Sequence, residues 1–132
     1  MSRTTLQNTL TELYGILSSD AVGTPVASLA TAGCVKVYPH EPGAGGVVRP
    51  CSVTIDVASI DSLDWGIAVR VYVSDQDPAR AQDLKINVPV AVDALMTAGY
   101  GPSRWSFDVA DLSTGIIHLA TCELAVGRED GF

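Results

Sequence analysis

Few residues of this sequence belong to types that do chemistry, and their spacing decides what they can do. The histidines are His40 and His118, and the cysteines are Cys34, Cys51 and Cys122. A zinc centre needs three or four ligands at suitable spacing; His40-Glu41 with a distant cysteine does not supply them. The cysteines are odd in number and lack CxxC spacing, so they read as reduced thiols in or near the core. Nucleophilic catalysis needs a nucleophile, a base and an orienting group in contact. The chain has no GxSxG and no local grouping of Cys, His and Asp. Asp75-x-Asp77 begins like a calcium loop but lacks the third ligand and the glycine. Followed by Pro78, Asp77 reads instead as a helix cap, and Asp61 and Asp64 read as turn residues. A phosphate cradle runs into a helix N-terminus, whereas Gly43–Gly46 run into Val47-Val48-Arg49-Pro50 and a strand. The expectation is no catalytic group, no metal and no cofactor.

The elements that must hold these residues follow from periodicity. Leu6, Leu10, Leu13, Ile16 and Leu17 recur at three- and four-residue spacing, predicting an amphipathic helix over Thr4–Ser18. Thr4 and Gln7 fit its capping box. After the Ser18–Pro25 break, the stretch to Gly33 suits a short helical turn around Val26–Ala30. Cys34–Tyr38 reads as a short strand, and Pro39–Gly46 as a long flexible loop. Cys51, Val53, Ile55 and Val57 alternate with polar residues, as do Trp65, Ile67, Val69, Val71 and Val73, so the two runs predict an antiparallel hairpin. A second helix starts at Asp77-Pro78 with a stripe of Ala81, Leu84, Val88, Val92 (or Ala91) and Leu95. Pro89 inside it should kink or split it. Trp105, Phe107 and Val109 alternate as a strand, and Ile116–Val126 make a long last strand on which His118 is packed or faces a partner. Residues 127–132 read as a loose tail. The order predicts an α+β domain spanning 1–132: a mixed, largely antiparallel sheet with two amphipathic helices packed on one face.

Composition narrows the function. A length of 132 residues suits one domain, whose core needs no disulfide or metal. Eight basic against fifteen acidic residues leave a net charge of −7, which argues against a nucleic-acid grip, since phosphate binding needs clustered Lys and Arg. No apolar run approaches the ~20 residues of a membrane helix, and the start, Met1–Thr5, lacks the apolar stretch of a signal peptide. Yet apolar residues make up 47% of the chain, a surplus that partner chains would cover. Open sheet edges call for the same cover, and head-to-tail cover closes a ring.

In order, lengths and short phrases, nearly the whole chain resembles the tail terminator proteins of long-tailed bacteriophages. The match consists of the N-terminal helix, VKVYPHEPGAGG, WGIAVRVYVSDQDPARAQDL, RWSFDV and GIIHLATCELAV. The resemblance implies a virion protein of the tail neck, assembled in the host cytoplasm: a homo-hexameric ring that caps the tail tube protein and joins it to the head-completion (stopper) protein. DNA passes through such a ring without specific binding. Candidate interaction residues are His40, Glu41, Gly43 and Arg49 in one loop, Asp61 and Asp64 in another, and the outward Arg70 and Tyr72. The alternatives are another phage neck or minor tail protein, a small-ligand binding module, or an enzyme.

Overall fold

A computed structural model describes residues 5–19, 21, 23–40, 42, 49–60, 64–100, 104–112 and 115–127. The elements run α1 (Thr5–Leu17), α2 (Ala27–Ala32), β1 (Lys36–Tyr38), β2 (Cys51–Ile60), β3 (Asp64–Val73), α3 (Pro78–Tyr100), β4 (Trp105–Leu112) and β5 (Gly115–Gly127). The five-stranded sheet has the order β1-β2-β3-β5-β4. Its β1–β2 pair is parallel, and β2–β3, β3–β5 and β4–β5 are antiparallel. This is the expected α+β architecture, and both expected hairpins form. Thr4 of the expected capping box, most of the glycine-rich loop, the Asp61-Ser62 turn and the tail from 128 on lie outside the described residues.

Strand alternation sorts the side chains onto two faces. Cys51, Val53 and Ile55 of β2 lie opposite Val73, Val71 and Val69 of β3, and Val69 and Val71 lie opposite Cys122 and Ala120 of β5. All of these are buried. On them sit Leu6, Leu13 and Leu17 from α1, Leu29 from α2, and Ala81, Leu84, Val88, Val92 and Met96 from α3. The helix stripes thus follow the predicted period with two shifts. Thr9 is buried where Leu10 was expected, leaving Leu10 half-buried, and Met96 is buried where Leu95 was expected. Each replacement lies one residue away, so the buried stripe is rotated by about 100° at those positions.

Local chemistry sets the element ends. Asp77 caps α3, its Oδ1 accepting from the Ala79 N–H at 3.0 Å. Asp75 Oδ1 in turn accepts from the Asp77 N–H at 2.9 Å. The helix runs from Pro78 to Tyr100 with Pro89 inside it, so it is not split there. Pro89 is itself buried, and its missing N–H leaves one i→i−4 bond of the helix unmade. Gly33 ends α2 with φ 111°, its N–H donating to the Leu29 and Ala30 carbonyls. A Cβ there would meet Leu84 Cδ2, so glycine also lets α2 approach α3. Gly66 serves a similar close approach to Ser59, beside the register shift that follows Val57 in β2.

Two substitutions test this packing by chemical denaturation. Leu13→Ala should cost about 2–5 kcal/mol through the cavity it leaves, and clearly more than Leu10→Ala. Gly33→Ala should cost about 1–3 kcal/mol, since its left-handed backbone and the Leu84 contact both oppose a side chain. Equal losses for the two leucines would contradict the observed stripe.

Candidate interaction surface

Among the described residues, those that could do chemistry form no catalytic or metal-binding cluster. Among the described residues no group of three His, Cys, Asp or Glu could hold a metal ion. The two described hollows are shallow, of ≈ 240 and ≈ 260 Å³, below the ~300–1,000 Å³ of typical small-molecule sites. The first lies between Leu10, Tyr14 and Pro39, and the second between Trp65, Gly66 and Leu124. No described helix is long and apolar enough to cross a membrane.

The eight residues expected to make contacts are likewise dispersed. His40 and Arg49 are exposed at the two ends of the glycine-rich loop, and Glu41, Gly43 and Asp61 lie outside the described residues. Asp64 is exposed at the start of β3 opposite Gly127, six residues and about 20 Å of strand from Arg70. Arg70 and Tyr72 are half-buried on the sheet face away from the helices, and Arg70 Nη1 lies 3.7 Å from Asp56 Oδ2. The described five, His40, Arg49, Asp64, Arg70 and Tyr72, form no single site.

Cys34, Cys51 and Cys122 are all buried. Val35 donates its N–H to the Cys51 carbonyl at 2.9 Å, which brings Cys34 beside Cys51. A hydrogen bond from the Cys51 thiol holds Cys34 below its ordinary value, against the effect of burial, while that bond and then burial push Cys51 up. Reactive cysteines sit in electropositive, partly exposed surroundings; these do not.

What the tertiary structure gathers is apolar. Trp105, Phe107 and Val109 of β4 pair with Cys122, Ala120 and His118, so they share the helix-bearing face. Phe107, Val109 and Ile116 are nevertheless each more than half exposed, as are Ile86 and Val90 of α3. Two contacts place α3 beside this strand: Trp105 Nε1 donates to Asp93 Oδ1 at 3.3 Å, and Lys85 Nζ stands 5.6 Å from the Phe107 ring centroid. Ile86, Val90 and Asp93 are spaced i, i+4, i+7 and share one stripe of α3, so Ile86 and Val90 lie on the side that carries the Asp93 contact. His118 Nδ1 is buried on the same sheet face without a hydrogen-bond partner. The result is an apolar strip along the outermost strand.

That strand is also a sheet edge. The opposite edge, β1, is three residues long, and its Val37 N–H donates to the Gly23 carbonyl at 2.8 Å. Gly23 packs so closely on it that a Cβ would meet Lys36 Cε. Among the described residues, then, β4 is an open edge, whereas β1 is capped. The alternation in WSFDV foretold a strand, but no local signal told that the helices would stop short of it.

Comparisons of the chain with protein-family models, curated proteins and solved structures find no match.

The thiols supply a test. Iodoacetamide should label all three cysteines in denaturant and leave the folded chain essentially unlabelled at pH near the ordinary thiol value of about 8.5. Rapid labelling of Cys51 in the folded protein would contradict its burial.

Proposed function

We propose that this chain is a structural subunit that works by assembling with other chains, and that the assembly is a tail terminator ring. In this reading copies of the chain form a hexamer that caps the tail tube and meets the head-completion protein, with DNA passing through the centre. The observation that carries the assembling role is the exposed apolar strip of Phe107, Val109, Ile116, Ile86 and Val90. Left in water, exposed apolar side chains of this kind promote aggregation; covered by another chain, they supply the desolvated centre of an interface.

The choice of a tail terminator rests on the resemblance in element order and phrases. The acidic balance of −7 supports it, because a channel wall richer in carboxylates than in cations repels phosphate and lets DNA slide. The capped β1 edge constrains the ring: its subunits do not join as one continuous sheet from β4 to the next copy's β1. Loops, faces and the apolar strip must make the joints.

Mixing the protein with tail tubes and imaging their ends by electron microscopy tests the reading. Six-fold rings at one tube end are expected, holding at moderate salt because apolar contacts are little screened. Bare tube ends at high protein concentration, with normal tail length and head joining in particles made without the protein, would exclude a terminator role.

A further inference from the structure

We infer that in the free chain the β4 edge is covered by the β4 edge of a second copy, in an antiparallel two-fold pair. The inference concerns the chain before any tail is present and does not rest on the ring reading. Its first ground is that, among the described residues, each chain has one open sheet edge. Because Gly23 occupies Val37 of β1, two copies that pair by backbone hydrogen bonds do so β4 to β4. Such a contact is isologous and closes on itself as a dimer.

The second ground is what β4 carries. The strand WSFDVADL has eight residues, holds no proline or lysine, and presents Trp105, Phe107 and Val109 on one face, so of the usual devices that blunt an edge it carries only the carboxylates Asp108 and Asp111. An axis perpendicular to the sheet keeps the helices of both copies on the same side and pairs residues of like face. Like charge rejects the register with Asp108 opposite its own copy. Centring the axis on Phe107 sets Phe107 against Phe107, Trp105 against Val109, and Ser106 against Asp108. Arg104 then lies diagonal to Asp108 of the other copy, within reach of a long side chain. Trp105, Phe107 and Val109 each meet an apolar residue, Ala110 stands opposite Arg104, and the Asp108 carboxylate meets a hydroxyl and a guanidinium.

The third ground is space. α3 rests on β3 and β5, so the two copies of α3 would stand at least three strand spacings apart, about 14 Å. Helices in direct contact lie at 8–10 Å. They do not clash, and the gap is the place of Phe107, Val109, Ile86 and Val90 from both copies.

Sedimentation equilibrium of the isolated chain should give twice the 13.8 kDa chain mass. Val109→Asp, an exposed position, should return it to a monomer with unchanged circular dichroism. Under mild oxidation Phe107→Cys should cross-link two copies, because position 107 lies on the axis, whereas Val109→Cys should not, because it faces position 105. The native thiols are buried and stay out of the reaction. A wild-type chain that is monomeric at high concentration, a dimer that survives Val109→Asp, or cross-linking through 109 and not 107 would overturn the pairing. Rings on tail tubes are scored separately, so either result for the ring leaves this one readable.

Discussion

A helix is about 10 Å across and strands lie about 4.8 Å apart, so one helix covers about two strands. The described residues form two long helices and five strands. α1 lies on β1 and β2, and α3 on β3 and β5; the geometry is then used up, and β4 is left beyond it. The exposed strip and the open edge both descend from that mismatch. A sixth strand would enlarge the bare surface, and a further helix over β4 would remove it.

The position of α3 is therefore the central variable, and several unrelated features fix it. Asp77 starts the helix, and Gly33 lets α2 come close enough for Leu84 to pack. Val88, Val92 and Met96 anchor it to the sheet, and the Asp93–Trp105 hydrogen bond ties its far side to β4. Pro89 fits this scheme as a buried side chain. The missing hydrogen bond of a mid-helix proline is tolerated when the helix is held from outside by packing along its length.

Polar groups tell the complementary story. The thiols lie under the helices, Arg70 is engaged with Asp56, and the loop residues sit at opposite ends of the sheet. Chemistry needs groups within about 3 Å of one another, and the fold spreads them over a sheet whose three central strands are 10, 10 and 13 residues long. Contact with another chain makes no such demand. It needs area and complementarity, and β4 with its neighbouring stripe of α3 offers both.

Element type and order were legible in the sequence because each depends on neighbours a few residues away. Alternation marked β2, β3 and β4, three- and four-residue spacing marked α1 and α3, and Asp77-Pro78 marked a helix start. Alternation also told that Trp105, Phe107 and Val109 share a face. What it could not carry was whether anything covers that face, since the cover is made by α3, which reaches the sheet through residues far off in the chain. The same limit explains Thr9 in place of Leu10 and Met96 in place of Leu95: periodicity gives a stripe, and the angle at which a helix docks decides which edge of it is buried. It explains the edges too. β1 and β4 both read as strands, and only folding brought Gly23 to Val37 and left β4, among the described residues, without an equivalent, because cover depends on distances between elements and not on the residues within one.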